Sequence, residues 1–203
     1  VIIFGHSINE MGIELASEWI RRIKPDVVVV IGPGTSTVFK ILMEFRVGLL
    51  EDNFKVVYPC PGADPACPIA NTESGDWCHQ VVRQKHSLCI ERLAQLVRVD
   101  RRSMPMIAHV YTSCVNLPFG KNGDHKIARI IQFLGENKAF LRWRLCRVSG
   151  DTEEVIFFEV SKRGLPKKEI KKLNSFQVGD NVELIDSIKI RDNIYRGKLL
   201  INI

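Results

Sequence analysis

The sequence predicts an α/β layer over residues 1–118 followed by a small basic β module over residues 119–203. Three observations carry this. In the first part, apolar residues at helical spacing alternate with short β-branched runs, the signature of βαβ units. In the second, the pattern shifts to short strand-like segments broken by Ser149-Gly150-Asp151 and Val178-Gly179-Asp180. The charge divides at the same place: residues 1–118 hold 12 Lys and Arg against 12 Asp and Glu, residues 119–203 hold 17 against 11.

The elements follow in order. After an apolar opening at residues 1–4, a helix is expected over residues 9–24, with Ile13, Ala16, Ile20 and Ile23 on one face. Residues 26–31 form a β-branched run without polar alternation, which predicts a strand buried on both faces of a helix-covered sheet. Gly32-Pro33-Gly34-Thr35-Ser36 then turns into a helix ending near residue 50, followed by a strand at 54–58. Beyond a cysteine-bearing loop at 58–79, residues 80–97 read as a helix with Val82, His86, Cys89, Leu93 and Leu96 aligned, which directs Cys89 into the core. A strand at 106–111 and a turn-rich linker at 117–123 close the first region. The second offers strands at 139–146, 155–160 and 182–190, and a short basic helix at 166–173 with Pro166 in its first turn. No repeat or low-complexity segment is present.

Composition excludes several classes. No apolar run reaches the roughly 18 residues of a membrane span, and residues 1–11 lack the basic flank and cleavage site of a signal peptide, so no membrane partner is expected. His6, His86, His109 and His125 are scattered, and neither a Ser/His/Asp order nor a paired-carboxylate motif appears. No catalytic residue is therefore assigned. The net charge of +6 lies entirely in the last third, which suggests a polyanion, most simply RNA, contacted from one side. The candidates are Arg142, Arg144, Arg147, Lys162, Arg163, Lys167, Lys168, Lys171 and Lys172, and without an aromatic ribonucleoprotein motif they are expected to hold phosphates. The chain opens at Val1 inside an apolar run with no initiator Met, which raises the expectation of a leader, a preceding segment or a partner chain.

The sharpest feature is Tyr58-Pro59-Cys60-Pro61-Gly62-Ala63-Asp64-Pro65-Ala66-Cys67-Pro68, followed by Asp76-Trp77-Cys78-His79. Three cysteines fall in a Pro- and Gly-rich loop, and such backbone can wrap thiolates around an ion or cluster. Intervals of six and ten residues are looser than a zinc ribbon's Cys-x-x-Cys, which tilts the reading toward iron–sulfur. A disulfide and unreactive thiols remain as other readings, the former disfavoured by the missing secretory signal. Cys78 beside His79 makes a poor nucleophile and base pair, because adjacent side chains point apart. Gly32 to Ser36 could hold an anion on its backbone N–H groups, but it lacks a P-loop lysine and a third glycine, so a helix-capping turn is the simpler reading.

In its order of features the chain resembles the methyltransferase-like mitochondrial small-ribosomal-subunit family: the Gly-Pro-Gly-Thr turn, a helix with Arg46 and Leu49-Leu50, then Val-Tyr-Pro-Cys-Pro, Ala-Cys-Pro and Asp-Trp-Cys-His. A later Leu-Cys of the family matches Leu145-Cys146, and its closing segment is similar to Ser161-Lys162-Arg163 and Val178-Gly179-Asp180. The likeness covers about residues 1–182. It departs where the first two cysteines are one residue further apart, where Gly62 replaces a His, and where Gln80 replaces a Phe.

The resemblance implies the later half of a class I methyltransferase-like, Rossmann-type α/β sheet followed by a small β, OB-like module. It implies a 4Fe-4S cluster, with zinc as the alternative, on Cys60, Cys67, Cys78 and Cys146, leaving Cys89 and Cys114 structural. It further implies a structural component or assembly factor of the mitochondrial small ribosomal subunit, in the matrix, with rRNA and mitochondrial ribosomal proteins as partners and no enzymatic activity of its own. The alternative is part of an S-adenosylmethionine-dependent rRNA methyltransferase completed by an N-terminal half. The methyl-donor loop belongs to strands before Val1, so this chain alone is not expected to bind S-adenosylmethionine, and another chain or segment is expected to complete the sheet.

Overall fold

Ile2–Gly5 (β1) and the β-branched run Val27–Pro33 (β2) pair in parallel, joined by the helices Ile8–Met11 (α1) and Ile13–Ile23 (α2). This computed structural model describes residues 1–60, 67–70, 77–83, 85–98, 103–114, 126–149 and 152–201. The helix expected over 9–24 is two helices, because Gly12 takes φ 84, a backbone state that side chains resist. β2 is not buried equally on its two faces: Val28 and Val30 are fully buried, while Val27, Val29 and Ile31 are half-buried. Ser36–Glu51 (α3) follows, and the Gly32–Ser36 turn caps it, with Thr35 Oγ1 accepting from Val38 N–H at 3.3 Å. Gly34 belongs to this turn for a steric reason: a Cβ there would lie 2.6 Å from the backbone of Pro105.

Lys55–Tyr58 (β3) and Gln80–Arg83 (β4) both pair antiparallel with Ser103–Thr112 (β5), at opposite ends of it. β5 also lies antiparallel to β2, which gives the order β1-β2-β5-β3 with β4 on β5. The cysteine segment is thereby strung between two strands that share one neighbour. Residues 80–97 are not one helix. Val81 and Val82 join the sheet, and the helix Leu88–Leu96 (α4) begins only after Ser87. α4 buries no residue, so Cys89 is exposed and not in the core, against the sequence expectation. The helical spacing holds for Cys89, Leu93 and Leu96 on α4, but Val82 sits on a strand that tertiary pairing claims and His86 lies between the two elements.

The basic part is a closed five-stranded barrel of Ile127–Glu136 (β6), Phe140–Ser149 (β7), Thr152–Ser161 (β8), Asn181–Arg191 (β9) and Ile194–Ile201 (β10), in the order β10-β8-β7-β6-β9. Lys167–Leu173 (α5) connects β8 to β9. β6 and β10 were not expected from the sequence, and the expected linker at 117–123 lies outside the described residues. Side chains alternate across the barrel wall. Ala128, Ile130, Leu145 and Ile156 fill the barrel, whereas Ile131, Cys146 and Val155 on the outer face pack into the core of the α/β layer. The Val178–Asp180 turn adds backbone bonds to both parts, from Val81 N–H to Val178 O at 3.2 Å and from Ile130 N–H to Asp180 O at 2.9 Å. Among the described residues no helix is long and apolar enough to cross a membrane.

Candidate metal centre

Cys60 lies just past β3, Cys67 opens a turn, Cys78 precedes β4, and Cys146 is on β7 of the barrel. All four line one small cavity of about 20 Å³, between the α/β layer and the outer face of the barrel. The remaining polar walls are Arg46 of α3, His109 of β5, Arg129 of β6 and Glu153 of β8. None of these four was assigned to the site from the sequence. Arg46 did leave a signal, for it falls at the core-facing spacing of Phe39, Leu42 and Leu49 on α3, where a guanidinium needs a partner.

Local bonding fixes the cysteine segments from both sides. Trp77 Nε1 donates to the Gly34 carbonyl at 3.0 Å, tying the residue before Cys78 to the capping turn of α3. Arg129 Nη1 donates to the Pro59 carbonyl at 3.5 Å, its guanidinium lies 5.5 Å from the Tyr58 ring centroid, and it thereby holds the approach to Cys60 from the barrel side. Ala70 N–H bonds the Cys67 carbonyl at 3.1 Å and closes the turn around that residue.

The electrostatics oppose each other. Burial pushes the Cys60 thiol up to about 12, although Arg46, whose Nη1 donates to Cys60 Sγ at 2.9 Å, pulls it back toward thiolate. Burial likewise raises Cys67, against backbone N–H groups of Ala70 and Ile69, and raises Cys146, which also feels Glu153. Burial disfavours the charge on Arg46, but Cys60 and then Glu153 and Tyr111 outweigh it and hold it cationic. For Arg129, burial is outweighed by Cys78 and Tyr58, while its Nε and Nη2 have no hydrogen-bond partner among the described residues. Burial, with Arg46 and Arg129, lowers His109 to about 3, so its ring is neutral, and its Nδ1 shares a 2.9 Å hydrogen bond with the Tyr111 hydroxyl.

Four soft sulfurs beside two buried cations suit a thiolate-bound metal centre, because bound metal keeps thiols deprotonated and leaves the set negatively charged. As drawn together here, the described residues form no group of three or more His, Cys, Asp or Glu side chains set to hold a metal ion, and the cavity is only water-sized.

The residues expected at RNA divide into two sets. Lys167, Lys168, Lys171 and Lys172 of α5, with Arg163 before it, are exposed. On the barrel strands the charges are partly committed: Arg147 pairs with Glu154 at 2.7 Å and lies over Tyr195, Lys162 pairs with Glu136 at 2.9 Å, and Arg142 pairs with Glu159 at 2.9 Å. Arg144 is half-buried on β7. The cysteines and the lysines thus occupy different regions.

No curated protein matches the chain. A family model does, over residues 1–180, and its description is the mitochondrial small ribosomal subunit Rsm22.

Proposed function

This chain belongs to the mitochondrial small ribosomal subunit Rsm22 family, and from that premise we propose that it is an rRNA-contacting, non-enzymatic component or assembly factor of that subunit, with its α/β layer and barrel stapled together by a 4Fe-4S cluster. Its work is mitochondrial and attached to the small ribosomal subunit.

The observation that carries the cluster is convergence: Cys60, Cys67 and Cys78 meet Cys146, nearly seventy residues further along the sequence, in one cavity flanked by Arg46 and Arg129. When bound, the group supplies a multi-point thiolate cross-link and a centre capable of redox change. The protein's own part is to present four sulfurs and to balance their charge with two guanidiniums. Three of the sulfurs lie outside helices and strands, so they can give way as the cavity fills, while β7 holds Cys146 fixed. Zinc satisfies the same donor set.

The sheet fits the later half of a methyltransferase-type fold, a reading supported by β5 inserted antiparallel between β2 and β3. Ile3 on the edge strand β1 and Val1 just before it are exposed, an apolar edge that a further strand, from this or another chain, would cover. No S-adenosylmethionine site is assigned to these residues. The closed barrel, with its helix between third and fourth strands, is read as OB-like.

Anaerobic purification followed by iron, sulfide and zinc analysis tests the centre. Iron and sulfide with a visible absorption band are expected. Zinc without iron would remove the cluster and keep the site. Sedimentation of a mitochondrial lysate tests the assignment to the ribosome, with co-migration with the small subunit expected, and a chain found only at the top of the gradient would sink it.

A further inference from the structure

We propose that the outer face of β7, β8 and β10 holds an unpaired RNA base, stacked on Phe157 in a cationic pocket separate from the cysteines and from the α5 lysines; the proposal rests on the rRNA-contacting reading above. A concavity of about 410 Å³ opens on this face, within the range of small-ligand sites. Its floor is apolar yet open to water: Phe157 is 42% exposed, Leu134 42% and Ile190 40%. Its charged groups are Arg142, Arg191 and Arg196 against the single carboxylate of Glu159.

The register makes this arrangement rigid. Glu159 on β8 is the cross-strand partner of Arg142 on β7 and of Arg196 on β10. Its Oε1 receives Arg142 Nε at 2.9 Å and its Oε2 receives Arg196 Nη2 at 2.8 Å. Arg196 also places its Cζ over the Phe140 ring, 4.3 Å from the centroid. Two guanidiniums, tied to one carboxylate, thus line the same concavity as the exposed ring of Phe157 before any ligand arrives.

The chemistry selects the occupant. A cationic rim around an open aromatic floor matches an anionic backbone carrying flat π-faces, which is single-stranded nucleic acid. Both oxygens of Glu159 are taken by arginines, so the one carboxylate present is not available to read a base edge. Recognition is therefore tolerant of sequence and selective for unpaired bases, since a duplex keeps its π-faces stacked internally. The α5 lysines, by contrast, hold phosphates of either form.

The full chain is titrated into fluorescein-labelled RNA of mixed sequence, as a single strand and as a duplex, across a salt series, with thermal melts confirming that each variant folds. Phe157→Ala is expected to weaken single-strand binding roughly 5- to 150-fold, the size of one lost base stack, with duplex binding and the salt slope unchanged. Arg191→Ala should weaken binding and lower the salt slope by about one. Replacing Lys167, Lys168, Lys171 and Lys172 with Ala should weaken both RNA forms alike. If the wild type binds RNA but Phe157→Ala binds the single strand as tightly as wild type, the base pocket is overturned and the RNA-contacting reading stands. If the wild type binds neither form, both fall.

Discussion

Arg46 and Arg129 are each 1% exposed, a position where an uncompensated guanidinium would cost several kcal/mol. Their company explains them: each lies against a cysteine of the cavity, and each is held charged by it. His109 stands in the same wall and responds to pH in a definite direction. Its folded pKa, near 3, is below its ordinary 6.5 because burial and the two arginines disfavour the imidazolium. Between those values the unfolded chain binds a proton that the folded chain does not, so stability rises with pH and is lost as pH falls from 6.5 toward 3. The loss from this residue should be about 1.4 kcal/mol for each pH unit in that window. In metal-free protein His109→Gln should flatten that part of the stability profile; unfolding free energies, from denaturation at a series of pH values, that fall equally steeply with pH in wild type and variant would refute it. At this scale the sequence was legible where chemistry left a compositional mark, as with three cysteines in a Pro-rich loop. Cys146 was reached through the family resemblance alone, because a single cysteine between Leu145 and Arg147 on a strand resembles any core residue. Arg129 and Glu153 lie on strands where burial depends on which lobe docks outside.

Between β3 and β4, β5 would lack a neighbour on one side, and a side chain supplies it. Gln80 Nε2 donates to the Ala108 carbonyl at 3.2 Å while its Oε1 accepts from Ala108 N–H at 3.1 Å, imitating a strand. Gln80 therefore closes the sheet at the point where the cysteine segment returns to it. Gln80→Leu should cost about 1–3 kcal/mol for each backbone group orphaned, read as a lower urea midpoint with unchanged slope. No change in midpoint would mean that water replaces the amide. The same element shows why residues 80–97 read wrongly as one helix. Val82, His86 and Cys89 have helical spacing, but the ladder to β5 and the Gln80 amide bonds are long-range features that periodicity does not carry. β2, α3, β3, β5 and α5 were legible because their apolar runs and turns agree with their final pairing. β6 was missed because Ala128, Arg129, Ile130 and Ile131 are all buried, two into the barrel and two against the α/β layer, which erases alternation.

At the scale of the molecule, two hydrophobic cores meet along the outer face of β6, β7 and β8, and the four cysteines lie on that seam. Cys146 is the barrel's sulfur; Cys60, Cys67 and Cys78 belong to the other side. The metal centre proposed above would restrict the unfolded chain over the whole interval from residue 60 to 146 and add its own binding energy, and so would couple the unfolding of the two cores. Loss of the group should therefore separate them. Replacing Cys146 by Ser also buries a hydroxyl, which destabilises the barrel regardless of metal, so the absolute melting temperature does not discriminate. The shift caused by a chelator does. In the wild type, chelation under reducing conditions should lower the melting temperature and split one transition into two. In Cys146→Ser the transitions should already be separate and the chelator should shift them little. Cys89→Ser, at an exposed position of α4, should behave as wild type before and after chelation. A chelator shift of equal size in wild type and Cys146→Ser would remove Cys146 from the centre and leave the seam held by packing alone.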